Sequence, residues 1–593
     1  MDTHISWLEA EEKDLESTVL AEYRNDEVWR HIAYLTTLTR MAGTEDELKA
    51  ARYIRGKLQE YGVDATVYEF DAYVSHPGEA SLEILVPIRK SIPCMPWAFI
   101  VSTPPEGIEA EVIVVGKGAG QDYQGVNVQG RIVLMEGGKE SRREAARIAE
   151  AMGAVAQIHV TPGKNRAINM DQLRDSWGSP TPETIDRIPK TPAVAICSED
   201  GHYLVDLGRK SRVVVRMRAE AWRGYRKVRL PVGAIPGVKE PEKYVLVGGH
   251  YCSWFSGATD NAAANAVMLE MAGIFSRYRE RLGRGVRFAW WTGHEQGTYA
   301  GSTWYLDNFW NDIRDNAVAY LTMDGLGRIG SSGFESRNTE EIRKFRECVV
   351  KDVLGLKIKS KRVVKHGDQS FWGMGLPSCT GKPGFSDEQT ENGGLPPVWY
   401  SHTAEDTLDK LDMKLVSIPF KVNMVSILRL CNNRVLPFEF VTVAKAFKTA
   451  LDELQRDSES ILDLTSLTAQ VEALEEKAVA LNKSIGENLL AYKKKGSDER
   501  LGSKFEEINL CLMELSRILM PALSSRAGKY GQDAMESEYR PIPTLQPLKQ
   551  LSKMDRNTEQ YKALRTALVR ARNELSDTLH SASRTLSNAL RTM

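Results

Sequence analysis

The chain lacks an excess of charge of either sign: 78 Lys and Arg stand against 79 Asp and Glu, a formal net charge of -1. Holding a polyanion needs a clustered surplus of cations, so neither nucleic acid nor an anionic membrane is expected as the partner. Cysteine is scarce as well. Cys94, Cys197, Cys252, Cys348, Cys379, Cys431 and Cys511 are odd in number, scattered and without a CxxC pair. That excludes a disulfide framework and a cysteine-rich zinc ribbon, and fits a reducing cytoplasm. No uncharged apolar run reaches the ~20 residues that span a bilayer. Residues 1–13 carry Glu9, Glu11 and Glu12 in place of the basic start and apolar run of a secretory signal. Tandem repeats and low-complexity tracts are also missing. What is present is 593 residues, 42% hydrophobic and 26% charged, enough for about two to four domains.

Hydrophobic spacing organises the chain. Trp29, Ile32, Leu35 and Leu38, then Leu48, Ala51, Ile54 and Leu58, recur at three and four residues and predict two amphipathic helices over 26–61, broken at Ala42-Gly43-Thr44. Thr44 followed by Glu47 has the form of a capping box, and Gly62 is a stop. Residues 65–70 alternate as a strand. From about residue 75 the texture changes to short β-rich runs (80–86, 111–115, 131–135 and 213–217) with one helical stretch at 141–152, which reads as a β-dominated insert. A Pro- and Gly-rich linker is expected at 231–242. Beyond it, strands at 244–248, 286–291 and 317–323 alternate with a helix at 262–275. This is the pattern of an α/β fold whose mostly parallel or mixed sheet is flanked by helices. Past Pro437 the chain reads as helical. Leu464, Leu467, Val471, Leu474, Ala478, Leu481 and Ile485, and later Leu564, Leu568, Ala571, Leu575, Leu579, Ala582 and Leu586, form stripes that suit a bundle core or a subunit interface equally. The division is 1–74 for amino-terminal helices belonging to the α/β unit, 75–232 for the insert, 233–436 for the α/β unit itself and 437–593 for the helical region.

Open α/β sheets build their sites just past the carboxyl ends of strands, and candidate ligands collect there. His250 follows Val247-Gly248-Gly249, and Asp260 sits in Gly257-Ala258-Thr259-Asp260-Asn261 at a helix entry. His294 and Glu295 follow the strand at 286–291, Asp324 follows Tyr320-Leu321-Thr322-Met323, and His402 lies in Trp399-Tyr400-Ser401-His402-Thr403. Two imidazoles and three carboxylates suit a pair of divalent metal ions, Zn first and Mn, Co or Fe also compatible, with positions left for water and substrate. The run Val115-Gly116-Lys117-Gly118-Ala119-Gly120 lacks the Gly-Lys-Ser/Thr ending of a phosphate loop and reads as a loop of the insert. His31, His76, His159, His202 and His580 are given no role.

These motifs resemble those of the M28 aminopeptidase-like metallopeptidases, most of all the glutamate carboxypeptidase II and transferrin receptor branch. Arg40-Met41-Ala42-Gly43-Thr44-Glu45 is similar to the family's opening helix pair, and Gly130-Arg131-Ile132-Val133-Leu134 with Gly153-Ala154 to its inserted protease-associated (PA) domain. His250-Tyr251-Cys252-Ser253-Trp254 with Gly257 to Asn261 resembles the first metal motif, and the run from Trp399 to Asp406-Thr407 the last. Pro437-Phe438, Pro521-Ala522-Leu523 and Pro541-Ile542-Pro543 lie in a region that resembles the branch's dimerisation domain. The resemblance implies that Asp260 bridges two metals, that His250 and Asp324 complete one site, and that Glu295 and His402 complete the other. It also implies a peptide or small amide substrate and a homodimer through the helical region.

Three positions depart from the family. Its Glu-Glu is His294-Glu295 here, so the general-base position holds His; its Asp two residues after the first His is Cys252; and one extra residue separates Gly297 from Gly301-Ser302. A neutral imidazole ionises near working pH and resists protonation beside two dications, so His294 suits proton acceptance. Two other roles stay open: a metal ligand with Glu295 as the base, or a hydrogen-bond partner of the substrate. Cys252 is either a small buried neighbour of the site or, since alternate strand residues share a face, a thiolate ligand. With Cys252 a thiol, neutral groups in place of two anionic ones make the site more electropositive and favour a metal-bound hydroxide or a substrate with an anionic group. His366-Gly367-Asp368-Gln369-Ser370 resembles the family's segment near the substrate pocket, or forms a turn at a strand end. The expected function is a metal-dependent hydrolase of peptide or other amide bonds. The alternatives are a non-peptidase amidohydrolase on a small anionic substrate, a single-metal transferase of the glutaminyl cyclase kind, and a transferrin-receptor-like binding protein without catalysis.

Overall fold

The computed structural model describes residues 12–137, 142–386, 388–389, 397–457, 461–495, 499–535 and 538–593. Glu9, Glu11 and Ser141, where a helix is expected to begin, lie outside them. Helices α1 (Lys13–Ala21), α2 (Asn25–Leu35) and α3 (Glu45–Glu60) open the chain. The apolar stripe of α2 is rotated from the expected one. Trp29 is 38% exposed, and Val28 joins Ile32 and Leu35 in the core, since about 100° per residue puts 28, 32 and 35 on one face. Only half of the capping box forms. Thr44 Oγ1 accepts from the Glu47 N–H at 3.3 Å, but the Glu47 carboxylate turns inward and accepts from the Arg229 N–H at 3.2 Å and from the Thr292 hydroxyl.

Strand β1 (Asp64–Val86) runs without a break across residue 74 and pairs antiparallel along most of its length with β8 (Val214–Ile235). The expected linker is therefore strand as far as Ile235: Val228, Leu230 and Val232 alternate into the core, and that period of two carries the ladder past Pro231. One end of β8 pairs with β4 (Ile108–Val114) and the other with β10 (Arg284–Trp291), so the β1–β8 ribbon joins two half-sheets. On the β4 side follow β5 (Ile132–Met135), β6 (Ala156–Thr161), β7 (Ala193–Cys197) and the short β3 (Met95–Pro96), with β2 (Lys90–Ile92) beside β1. Strands β4 to β7 are parallel to one another. Val133 and Met135 of β5 cluster with Ala145 and Ala149 of α4 (Arg142–Ala151), while Ile132 and Leu134 cluster with Leu204 of α5 (Ser198–Lys210). The insert is β-rich as expected, with α4 and α5 covering its parallel strands. Strands buried in every residue, as β5, β6 and β7 are, carry no alternation to announce a sheet covered on both faces.

The other half-sheet has the order β13 (Lys361–Arg362), β12 (Ser332–Asn338), β14 (Ser378–Gly384), β11 (Ala317–Thr322), β9 (Glu240–His250), β10, β8. β9 is parallel to β10 and β11, and β11 to β14, while β8 runs antiparallel to β10 and β12, parallel to β13, runs antiparallel to β14, so the sheet is mixed. Helix α6 (Ala263–Arg277) is buried from Ala263 to Ser276, packed by α2, α3, the sheet and the helix Met413–Asn432. That last helix is apolar enough by length and composition to cross a membrane, and 72% of its apolar window is buried in this core.

The helices Phe440–Asp457, Thr465–Lys495, Glu499–Ser524 and Glu559–Thr592 make the carboxyl-terminal bundle. Leu467, Val471, Leu474 and Leu481 share one buried cluster with Leu568, Leu575, Leu579 and Leu586 of the same chain. Each fully buried aliphatic contributes about 1.5–3 kcal/mol. Both stripes are bundle core, which leaves a subunit interface here supported by the family resemblance alone.

Candidate metal centre

The expected ligands converge at the carboxyl ends of β9, β10 and β11. His250 ends β9, and its Nδ1 meets the Cys252 carbonyl at 3.0 Å. Its Nε2 faces Asp260 Oδ1 at 3.1 Å and Asp324 Oδ1 at 3.5 Å. His402 repeats the arrangement: Nδ1 meets the Met170 carbonyl at 3.0 Å, and Nε2 lies 3.1 Å from Glu295 Oε1 and 3.6 Å from Asp260 Oδ2. A carbonyl only accepts, so each Nδ1 carries a proton and each Nε2 is left facing the carboxylates, as the atom a metal ion would take. Asp260 turns one oxygen to each imidazole.

Two donor sets result, His250–Asp260–Asp324 and Asp260–Glu295–His402, and the ligand atoms of each lie within 4.8 Å of one another. His250, His294 and Glu295 form a third such set. The donors fit a divalent cation by a direct test. His250 Nε2 and Asp324 Oδ1 are buried without a hydrogen-bond partner among the described residues, and leaving such atoms dry and unpaired is costly unless a cation satisfies them. The charges agree. Burial alone would push both imidazoles down, but the carboxylates beside them outweigh it, raising His250 well above its usual range and His402 to about 10. Asp260 is held well below the carboxylate range in the same way, against its own burial.

The loop that carries Asp260 is built by residues distant in sequence. Gly257 turns it at φ 54°, where a Cβ would lie 2.3 Å from the Asp260 carbonyl. The Asp406 carboxylate accepts from the Thr259 and Asp260 N–H groups at 3.0 and 3.1 Å. Asn261 Nδ2 donates to the His250 and Met323 carbonyls, each at 3.1 Å, tying the end of β9 to the segment after β11. Arg40 is fully buried and donates to the Tyr251 carbonyl at 2.7 Å and the Ser256 carbonyl at 2.9 Å. Arg40 and Asp406 both stand in motifs quoted above, but their task of bracing this loop is not visible from residue type.

The three departures resolve structurally. Thr298 and Tyr299, between Gly297 and Gly301-Ser302, both take positive φ, and Glu295 lies beside His402. Cys252 Sγ is 4.0 Å from His250 Nδ1 and in none of the donor sets. Burial pushes its thiol up, and its carbonyl, not its sulfur, orients His250, so the thiolate-ligand alternative falls away. His294 Nδ1 lies 2.7 Å from Asp368 Oδ2, a partner not foreseen from the sequence. His366 lines the cleft outside the donor sets, and burial pushes it down to about 4. The cleft measures 630 Å³, and its walls include Arg142, Arg143, Arg328, Arg337 and Lys382.

A mixed α/β sheet with paired His and carboxylate donor sets at its strand ends is the architecture of a metal-dependent hydrolase. Residues 232–419 match the model of peptidase family M28. It is similar to the probable glutamate carboxypeptidase VP8 of Zea mays, with 25% identity over 496 residues, 71% of this chain and 68% of that one. It is also similar to carboxypeptidase Q of Xenopus laevis, with 30% identity over 291 residues, 46% of this chain and 59% of the relative. Among solved structures, BSAP, a zinc aminopeptidase from Bacillus subtilis, superposes with a TM-score of 0.55 at 20% identity, covering 68% of this chain and 94% of its own. The aminopeptidase from Aneurinibacillus sp. strain AM-1 gives 0.53 at 20% identity, covering 70% and 96%. Those two likenesses establish the fold.

Proposed function

We propose that this chain hydrolyses peptide or other amide bonds with two divalent metal ions, Zn first, one held by His250 and Asp324, the other by Glu295 and His402, with Asp260 shared. The observation that carries the reading is the shared Asp260 between two donor sets, one of which contains buried atoms that no described residue satisfies by a hydrogen bond. When bound, the ions supply Lewis-acid polarisation of the scissile carbonyl and acidify water. The chain supplies the remainder. His294 accepts the proton of the attacking water and returns it to the leaving nitrogen. Asp324 and Asp260 are braced by cations: Lys382 Nζ donates to the Asp324 carbonyl at 3.0 Å, and Arg328 Nη2 lies 3.4 Å from Asp260 Oδ2. Three carboxylates do not neutralise two dications, and Arg328 and Lys382 add positive charge, so we read the substrate as one that brings an anionic group.

The 75–232 insert is read as PA-like, and a homodimer through 437–593 is carried over from the resemblance; light scattering that gives a monomer at micromolar concentration removes the latter. The test of the main reading is metal content of the purified protein paired with hydrolysis of aminoacyl, carboxy-terminal glutamyl and N-acyl amides. Two ions with turnover that is highest on the acidic substrates is the expected result. Metal-free protein that binds no added Zn and cleaves none of the panel would overturn it in favour of a binding scaffold.

A further inference from the structure

A carboxylate base has no tautomer to set. An imidazole has two, and only one leaves a lone pair facing the substrate, so His at 294 needs an acceptor behind it. Asp368 meets that need. Its side chain is 2% exposed and its Oδ2 lies 2.7 Å from His294 Nδ1. Its other oxygen accepts from the Ser302 hydroxyl at 2.7 Å. Ser302 lies 2.8 Å from Ser370 Oγ, which accepts from Trp177 Nε1 at 2.8 Å. This relay spends the carboxylate on His294 and fixes its direction. Asp368 also takes φ 57°, a left-handed conformation that L-residues rarely adopt.

His294 is not placed to share an ion with His250. An imidazole lone pair lies in its ring plane, and the two rings stack with centroids 3.8 Å apart and planes inclined by 21°. Such planes intersect on the order of 10 Å away, against the ~2.1 Å of a zinc–imidazole bond.

We propose that Asp368 is the positioning residue of this centre: it holds His294 in the Nδ1-protonated tautomer and leaves Nε2 free to take the proton of the attacking water. The inference rests on the hydrolase reading. As the water oxygen bonds to the carbonyl carbon, its proton passes to Nε2 while Nδ1 keeps its own. When the C–N bond breaks, that proton leaves with the nitrogen and the imidazole returns neutral.

The test is Asp368→Asn, alone and in a His294→Glu background. Ser302 claims the amide oxygen of Asn, so the NH2 faces His294 and selects the wrong tautomer. The single change should lower kcat by about 10²–10⁴-fold, with KM and bound metal unchanged. With Glu at 294 the same change should cost less than about tenfold, because no tautomer is at stake. Nitrogen-15 NMR of histidine-labelled, metal-loaded protein should give Nδ1–H for His294 in the wild type and Nε2–H in Asp368→Asn. That readout needs no turnover: a wild type that cleaves no amide sinks the hydrolase reading, while the spectrum still decides the tautomer. The proposal is overturned by an unchanged tautomer, by equal kcat losses in both backgrounds, or by loss of bound metal in both Asp368→Asn and His294→Ala, which would make His294 a ligand.

Discussion

Asp406 belongs to neither donor set, yet it holds the loop that delivers the shared ligand. Its side chain is 1% exposed and accepts from the Thr259 and Asp260 N–H groups at 3.0 and 3.1 Å. Asp406→Ala removes both acceptors and leaves two buried donors unpaired, at about 1–3 kcal/mol each. Part of that cost falls on folding and part on the placement of Asp260. The second share should appear as a 10–100-fold loss of metal affinity, or about 1.4–2.8 kcal/mol. Because Asp260 faces both imidazoles, the two ions weaken together. Asp406→Asn should be little better, since its amide offers one oxygen and turns an NH2 against the second N–H. Competition against a chromophoric chelator measures both affinities, with thermal denaturation confirming the fold. A folded Asp406→Ala that holds both ions at wild-type strength, or loses one and keeps the other intact, would refute the reasoning.

Stoichiometry separates the ligands: by mass spectrometry of dialysed protein, Asp260→Ala should lose both ions and Asp324→Ala only one, and equal losses would deny the sharing. Burial raises the Glu47 carboxyl from 4.5 to about 7. The folded form then keeps a proton that the unfolded form releases, so stability falls as pH climbs from 4.5 to 7, by on the order of 3 kcal/mol in all. Glu47→Gln abolishes that slope, and its advantage in thermal melts should grow between pH 5 and pH 8; parallel curves would contradict this. Leu474, buried in the helical bundle, should cost about 2–5 kcal/mol as Leu474→Ala, read by denaturation, while metal content stays at the wild-type value.

Of the five proposed ligands, His250, Glu295 and Asp324 are readable in the chain because they end or follow strands, and an open sheet gathers strand ends at one edge. Asp368 is not readable in that way. It lies 74 residues from His294, and a His-Gly-Asp run gives no sign of what its carboxylate will meet. Asp406 and Arg40 fail for the same reason: both act on main-chain groups, and a backbone N–H or carbonyl leaves no mark on the sequence. The stripes of the helical region show the other limit. Periodicity at three and four marks a face that must be covered, and here the cover for Leu474 comes from Leu575 and its neighbours in the same chain. Helix α5 shows the same limit, because its cover comes from β4, β6 and β7.

His402 takes its orientation from the insert. Its Nδ1 meets the Met170 carbonyl, the Met170 N–H returns a bond to the His402 carbonyl at 2.8 Å, and Asn169 Nδ2 donates to the Trp399 and Ser401 carbonyls at 3.2 and 2.6 Å. A fragment cut to residues 232–419 would keep every donor and still lose the backbone that aims one imidazole. Exchanging the insert for that of a relative would exchange part of the metal centre along with it. For anyone wishing to minimise or recombine this protein, the seam therefore runs through the centre and not around it.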